Sequence, residues 1–194
     1  VRGGRAVKLI LASGSPRRRE LLGLYTRDFA VCVSKFDERS VRAATPAALA
    51  EALARGKCLA VAADHPGCVV VGSDTVVELD GEIFGKPRDA ADARRMLRAL
   101  SGRTHQVHTG VCVSDGVRTE SFADSCRVTF FPIPEDELER CIASGEPFDK
   151  AGAYAIQGQA ALWLDRLEGD YYTIMGLPVS RTARLLDRFD LEKR

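Results

Sequence analysis

The stretch Lys8–Arg19, with the sequence KLILASGSPRRR, decides the expected fold. Its apolar part, Lys8–Ala12, is typical of a buried strand. Ser15 followed by Pro16 is a typical helix start, because serine accepts a hydrogen bond from a free backbone N–H group and proline suits the first helical position. A strand that runs directly into a helix indicates an α/β fold.

Strands and helices alternate along the rest of the chain, with no repeat or linker between them. We therefore predict one α/β domain over residues 1–194, with a mixed sheet flanked by helices and two lobes around a central cleft. Turn residues separate several predicted hairpins. The predicted strands are 29–33, 68–72, 76–79, 82–84, 105–113, 117–122, 125–131, 162–167 and 171–175, and the predicted longer helices are 45–63, 89–100, 134–144 and 178–189. In the helix 45–63, Leu49, Leu53 and Leu59-Ala60 are expected on one side, with Gly56 as a weak position.

The charge balance excludes several function classes. The chain has 28 Lys+Arg against 27 Asp+Glu, a net charge of +1, and 45% hydrophobic residues. This composition is too apolar for a disordered chain. It also lacks the excess charge with which proteins coat nucleic acid or anionic membranes, and no apolar stretch is long enough to span a bilayer. Any bound anion must therefore be held by a few cationic side chains at particular positions.

The cysteines indicate a reducing compartment. The six cysteines form no CxxC motif, and most lie inside apolar runs such as CVVVG and TGVCV. We interpret them as small buried side chains rather than a disulfide framework or, with the three histidines, a zinc site. Residues 1–5 contain no apolar segment of a signal peptide, so we expect a cytoplasmic protein.

The residues after the first predicted strand suit an anion. Ser13 and Ser15 leave backbone N–H groups free at a helix N-terminus, where the helix dipole is positive, and Arg17 and Arg18 follow in the first turn. The first 19 residues carry six basic residues and no acid. We interpret this cluster as a phosphate site, since arginine donates bidentate hydrogen bonds to phosphate. The alternative is a capped helix with a solvated basic face.

Two acidic positions follow predicted strands. Asp74 comes directly after the apolar run 68–72, where the end of a strand in an α/β sheet often presents a catalytic group. Asp37 and Glu38 follow the strand 29–33. Together these carboxylates could hold a divalent cation and orient a water molecule. A turn-forming aspartate and an exposed acidic loop are the alternatives.

Other candidates are weaker on their own. Lys57 and Lys86 are isolated lysines, for which a solvated side chain is the default interpretation. His105 and His108 fall on opposite faces of a predicted strand, so we expect structural histidines rather than a shared metal site. Gln157 lies in a loop of small residues and could pair with a base or a phosphate; tight packing would explain most of that loop.

Taken in order, the motifs resemble the Maf family of nucleoside triphosphate pyrophosphatases. The matching segments are LASGSPRR, LARGK, GSDTVV, GKP, SGRTHQVHTGV, DKAGAYAIQG and GDYYTIMGLP, from about Leu9 to Phe189. The resemblance implies a fold similar to that of the inosine triphosphate pyrophosphatases and usually a homodimer. It also implies cleavage of a nucleoside triphosphate between the α and β phosphates, with a divalent cation, Mg²⁺ or Mn²⁺.

The resemblance also assigns the site. It implies that Glu38 and Asp74 hold the metal, that Asp74 activates the attacking water, and that lysines and arginines neutralise the phosphates. The combination of SDTVV and DKAGAYAIQG resembles the subgroup that cleaves dTTP and UTP. Carried over residue by residue, the family's motifs place phosphate binding on Ser13, Arg17 and Arg18, catalysis on Glu38, Lys57, Asp74 and Lys86, and further substrate contacts on Thr75 and Gln157.

The sequence departs from the family pattern at a few positions and leaves alternatives open. Gly56 stands where an acid is common, Ala155 where glycine is common, and Thr173-Ile174 where Asn-Val or Ser-Val is common. One alternative is a pyrophosphatase for other or modified nucleotides, such as 7-methyl-GTP. Another is a non-catalytic regulator of cell division that binds nucleotides. A nucleic-acid binder is the weakest option.

Overall fold

The computed structural model describes residues 8–189 and Leu191; Arg2 and Arg5 of the basic N-terminal cluster, and the two ends of the predicted 1–194 domain, lie outside the described residues. The strands are β1 Leu9–Leu11, β2 Phe29–Val31, β3 Val69–Leu79, β4 Glu82–Phe84, β5 Thr104–Ser114, β6 Thr119–Phe130 and β7 Leu164–Glu168. The helices are α1 Pro16–Leu22, α2 Pro46–Asp64, α3 Ala90–Leu100, α4 Glu135–Ala143, α5 Tyr171–Met175 and α6 Val179–Leu186.

The strands form one seven-stranded mixed sheet in the order β2-β1-β3-β5-β6-β7, with β4 also paired to β3. Strands β2, β1 and β3 are parallel, whereas β5, β6 and β7 continue the sheet in antiparallel pairs. The predicted mixed α/β architecture is therefore confirmed. The N-terminal parallel part requires helical crossovers, which α1 and α2 provide.

One edge of β3 is covered in two separate places. Its first part, Val69–Val71, pairs with β1, and its last part, Val77–Leu79, pairs with β4. Among the described residues, neither strand reaches the segment 72–76 between them. This gap leaves the middle of a central strand without a partner strand on that edge in the described part of the chain, and it marks where the site lies.

Helix α2 packs closely on one face of the sheet. Gly72 on β3 and Gly110 on β5 lie beneath it, and a Cβ atom at either position would collide with the backbone of α2 at Ala54 or Ala50. The absence of these side chains lets the helix approach the sheet. The opposite face carries the larger core, in which Phe130 and Trp163 are fully buried.

The sequence-based boundaries are wrong where polar residues interrupt a strand. The predicted strands 68–72 and 76–79 are one strand, β3, because the intervening Gly72–Thr75 continues to pair with Thr109–Cys112 of β5. Likewise the predicted strands 117–122 and 125–131 merge into the single strand β6, which begins at Thr119 and ends at Phe130. Asp74 consequently lies in the middle of a strand and not at its end.

Two further predictions are corrected. Residues 171–175 form helix α5 and not a strand, because the Asp170 side chain accepts a hydrogen bond from Tyr172 N at 2.9 Å and caps a helix start. Gly176, with φ of 109°, then ends this helix in a left-handed conformation. Leu59 does not share one side of α2 with Leu53, since Leu53 is buried whereas 37% of Leu59 is exposed.

Four of the six cysteines are buried as the sequence predicts, whereas Cys32 and Cys68 are half-buried. All six cysteines are free, and Cys58, Cys112, Cys126 and Cys141 are buried. In the part of the chain that the structure describes, no helix combines the length and apolar character needed to cross a membrane.

Candidate active site

A cavity of about 780 Å³ opens at the gap in the edge of β3. Helix α1, the connection from β2 to α2, and α2 line one side, and β4 and residues 149–157 line the other. The expected central cleft is therefore present. Asp37, the second acid of its pair, does not line the cavity. The nine residues to which the family's motifs assign the site all line it: Ser13, Arg17, Arg18, Glu38, Lys57, Asp74, Thr75, Lys86 and Gln157.

The start of α1 is built as expected. The Ser15 side chain accepts a hydrogen bond from Arg18 N, and Pro16 occupies the first helical position. The Ser13 hydroxyl accepts hydrogen bonds from Ser15 N at 3.2 Å and from Arg18 Nη1 at 3.4 Å. This turn therefore orients an arginine together with a helix N-terminus, the combination that suits a phosphate group.

Arg18 is held by the protein on several sides. Its Nε donates to the carbonyl oxygen of Gly176 at 2.9 Å, and its Nη2 donates to Thr75 Oγ1 at 3.0 Å. Burial lowers the pKa of the Arg18 guanidinium, while the nearby Asp74 carboxylate opposes this shift. Arginine stays charged in proteins despite such shifts, so the side chain offers a fixed positive charge at the cavity.

A chain of hydroxyl groups fixes Thr75. Thr109 Oγ1 donates to the carbonyl oxygen of Thr173 at 2.7 Å, so the hydrogen of Thr109 is used there. Thr75 Oγ1, 2.8 Å from Thr109 Oγ1, must then donate to Thr109 while it accepts from Arg18. The order Arg18, Thr75, Thr109, Thr173 thus gives every hydroxyl a defined direction.

On the other face of β3, Lys57 joins two carboxylates. Its Nζ lies 3.0 Å from Glu38 Oε1 and also forms an ion pair with Asp74 Oδ1. Lys57 and Asp74 are largely buried, with 16% and 13% of their side chains exposed, whereas half of Glu38 is exposed. The structure therefore brings three residues from distant segments to one point.

The remaining predicted residues line the cavity without ion pairs to other described residues. Within the described residues, Arg17 and Lys86 form no ion pair, and Lys86 and Gln157 are exposed. Free cations and an amide at the rim of a cavity can meet an incoming anionic ligand without first breaking an internal contact.

The carboxylates fit a divalent cation in part. Glu38 and Asp74 both contact the ammonium group of Lys57, so their oxygen atoms face a common point. Among the described residues, no group of three or more His, Cys, Asp or Glu side chains could hold a metal ion. One or two carboxylates, completed by water and phosphate oxygens, is the usual protein environment of Mg²⁺.

Sequence reasoning missed several residues of the cavity. Lys150 lines it and donates to the carbonyl oxygen of Glu146 at 2.6 Å and to Asp149 Oδ1 at 2.5 Å. Arg39 and Arg42 also line it, from the connection between β2 and α2. Lys150 stands within the quoted segment DKAGAYAIQG, whereas no motif marked the two arginines.

The histidines have structural roles, as expected. His105 and His108 are both buried, with His105 Nε2 2.8 Å from the Tyr154 hydroxyl and His108 Nδ1 2.7 Å from Ser125 Oγ. Burial lowers the pKa of His105 to about 4 and also lowers that of His108, and burial raises the pKa of Tyr154. Neither histidine lines the cavity.

Comparison with known proteins gives consistent matches over nearly the whole chain. A family model described as "Maf-like protein" matches residues 8–189. A dTTP/UTP pyrophosphatase of Bacillus cytotoxicus is 47% identical over 183 residues, which cover 94% of this chain and 96% of the relative. Proteins of the same name from Bacillus velezensis and Symbiobacterium thermophilum are 46% and 47% identical, and the matches cover 95% and 94% of this chain.

Among solved structures, the Ham1 protein of Staphylococcus aureus has a similar fold. The TM-score is 0.56 at 15% sequence identity, and the match covers 93% of this chain and 98% of that chain. A similarity at this level of identity concerns the fold alone.

Proposed function

The chain belongs to the Maf family, and on that basis we propose that it hydrolyses dTTP and UTP to the nucleoside monophosphate and pyrophosphate. The observation that carries this proposal is the convergence of Glu38 and Asp74 with the predicted phosphate-binding residues on one cavity. The names of the relatives, dTTP/UTP pyrophosphatase, support the choice of substrate.

In this proposal the triphosphate binds between α1 and β4. Arg18, held in place by Thr75 and Gly176, contacts phosphate oxygens with bidentate donors next to the positive end of the α1 dipole. Arg17 and Lys86 neutralise the remaining phosphate charge. Hydrogen-bond donors that the protein already holds in the required orientation stabilise the negative charge that develops on the leaving pyrophosphate.

Asp74 acts as the general base. A water molecule attacks the α-phosphorus, its proton passes to the Asp74 carboxylate, and the bond between the α-phosphorus and the bridging oxygen to the β-phosphorus breaks. The electron pair of that bond leaves with pyrophosphate. Lys57 holds the Asp74 carboxylate toward the cavity and contributes positive charge close to the reacting phosphate.

Glu38 and Asp74 would hold Mg²⁺ or Mn²⁺, with phosphate and water oxygens as the other ligands. A divalent cation at this point supplies positive charge that makes bound water easier to deprotonate. The shared contact of the two carboxylates with Lys57 supports this assignment.

The base binds, in this proposal, beside the loop that carries Gln157. Ile156 and Tyr154 also line the cavity but are almost fully buried, whereas the exposed Gln157 amide offers both a donor and an acceptor for the edge of a pyrimidine. Because its amide can both donate and accept hydrogen bonds, we assign to Gln157 the role of selecting the base.

Pyrophosphate release from a substrate panel tests the proposed function. dTTP, UTP, CTP, GTP and 7-methyl-GTP would each be supplied with Mg²⁺ or Mn²⁺, with and without EDTA. We expect turnover of dTTP and UTP that EDTA abolishes. Preferred turnover of 7-methyl-GTP would overturn the substrate assignment, and tight nucleotide binding without any turnover would indicate a regulator instead.

We further propose that the protein works as a cytoplasmic homodimer. The free state of all six cysteines supports a reducing compartment. The homodimer follows from the family, and light scattering on the purified protein tests it.

A further inference from the structure

Glu38 requires support from outside its own turn. It lies in the short turn Glu38–Ser40, within the connection from β2 to α2, and half of its side chain is exposed. An ion pair with this exposure contributes little to holding a side chain in place. The contact of Glu38 with Lys57 therefore depends on how the connection itself is anchored to α2.

The anchor is an aromatic ring in a notch of the helix. A Cβ atom at Gly56 would lie 2.8 Å from Phe36 Cδ1 and closer still to Cε1 and Cζ of the same ring. The ring of Phe36 thus occupies the space that any other residue at position 56 would fill. Phe36 is also packed against the cluster of Ala50, Leu53 and Val76.

The positions of this contact along the chain matter. Phe36 stands two residues before Glu38, and Gly56 stands immediately before Lys57. The ring therefore fixes the connection to the helix within one turn of the point where Glu38 and Lys57 meet. A glycine in the middle of a helix is unfavourable compared with alanine, which the packing of the ring offsets here.

We infer that Phe36 and Gly56 form a positioning pair: the ring seated in the glycine notch keeps Glu38 close to the Asp74 carboxylate and so sets the metal affinity of the site. The inference rests on the proposed function only for the identity of the metal-binding carboxylates. The contact between Phe36 and the helix at Gly56 does not depend on any bound ligand.

A double-mutant cycle tests the pair. The variants are Gly56→Ala, Phe36→Val and their combination, with Leu59→Ala on the exposed side of the same helix as the control. For each we would measure the Kd of Mn²⁺ by calorimetry without nucleotide, the Mg²⁺ concentration for half-maximal turnover, kcat at saturating Mg²⁺, and the unfolding midpoint.

The expected result is specific to metal binding. Gly56→Ala should raise the Kd of Mn²⁺ and the half-saturating Mg²⁺ concentration by about tenfold, the size seen when residues that orient metal ligands are changed. At saturating Mg²⁺, kcat should stay within about threefold, because Asp74 and its contact with Lys57 are untouched. In the Phe36→Val background, Gly56→Ala should change the Kd by less than about twofold, because the clashing ring is gone.

Several outcomes would overturn the inference. These are an unchanged Kd of Mn²⁺ in Gly56→Ala, an equal effect of Gly56→Ala in both backgrounds, or an equal effect of Leu59→Ala. A lowered unfolding midpoint with unchanged metal affinity would mean that the contact is only structural. If the wild-type protein fails to hydrolyse nucleotides, the proposed function fails, but the Mn²⁺ measurements still decide the role of the pair.

Discussion

Lys57 on α2 and Asp74 on β3 form an ion pair between helix and sheet, and the same ammonium group lies 3.0 Å from Glu38 Oε1. One lysine thus compensates two carboxylates at the edge of the cavity. In the absence of ligand the ammonium offsets the repulsion between the two like charges, and a metal ion held by the same oxygens would have to displace it.

Replacing Lys57 by methionine should therefore separate two effects. Turnover of dTTP should fall by at least about tenfold, since a positive charge near the reacting phosphate is lost. The Kd of Mn²⁺ without nucleotide should instead decrease, because the ammonium competes with the metal for the same oxygens; about 1 kcal/mol of screened charge interaction corresponds to about fivefold. Calorimetry and initial rates measure the two effects, with Lys57→Arg as the charge-retaining control. Weaker Mn²⁺ binding in Lys57→Met would contradict this interpretation.

Asp74→Asn tests the general base. The amide keeps the shape of the side chain but cannot take the proton of water, so we expect kcat to fall by about 10²–10⁴-fold. The Kd of a non-hydrolysable dTTP analogue, measured in the presence of Ca²⁺, should change by less than about tenfold, since Arg17, Arg18 and Lys86 remain. Turnover near that of the wild type would remove Asp74 from the chemistry.

The sequence identified the residues of the site better than the elements that carry them. Asp74 was selected as a group at a strand end, yet Ser73, Asp74 and Thr75 continue the strand. Their polar side chains are tolerated there because partners far along the chain satisfy them: the Ser73 hydroxyl lies 2.8 Å from the carbonyl oxygen of Gly176 and 2.9 Å from that of Gly110. A local pattern does not contain such partners.

The same limit applies to Arg18 and Phe36. The helix start at Ser15 and Pro16 could be predicted because its signal is local, but the acceptor for Arg18 Nε is the carbonyl oxygen of Gly176. The seat of the Phe36 ring is likewise set by a residue that the sequence analysis noted only as a departure, Gly56. Tertiary contacts of this kind decide how a predicted residue is oriented.

Thr75→Val tests the support of Arg18. Valine has nearly the same shape but cannot accept from Arg18 Nη2 or donate to Thr109. We expect KM for dTTP to rise by about tenfold with a smaller change in kcat, and the free energy of unfolding to fall by about 1–3 kcal/mol because polar partners are left unsatisfied. Steady-state kinetics and urea unfolding give both values.

Thr104→Val is the matched control for Thr75→Val. Thr104 is also on a strand and pairs its hydroxyl with Thr129 Oγ1 at 2.8 Å, but on the exposed part of the sheet. It should leave KM unchanged and alter the free energy of unfolding by less than about 0.5 kcal/mol. Equal effects of the two substitutions on KM would show that Thr75 does not act through Arg18.

The burial of His105 makes the free energy of unfolding depend on pH. It is 1% exposed, its Nδ1 has no hydrogen-bond partner among the described residues, and burial lowers its pKa to about 4. An unfolded histidine titrates near 6.5, so below this pH the unfolded chain binds the proton first. The free energy of unfolding therefore contains the full contribution of neutral His105 above about pH 6.5, and this contribution is lost as the pH falls toward 4.

The expected loss from His105 is about 2 kcal/mol of the free energy of unfolding between pH 7 and pH 5. His105→Gln keeps a hydrogen-bonding group for the Tyr154 hydroxyl but does not titrate. Urea unfolding at both pH values measures the effect. From pH 7 to pH 5, the free energy of unfolding should fall by about 2 kcal/mol less in this variant than in the wild type. His65→Gln, at the end of α2, controls for the substitution itself. The carboxylates and His108 are the same in both proteins, so their contributions to the pH dependence cancel in the comparison. An identical pH dependence of stability in His105→Gln and the wild type would show that His105 is not the responsible group.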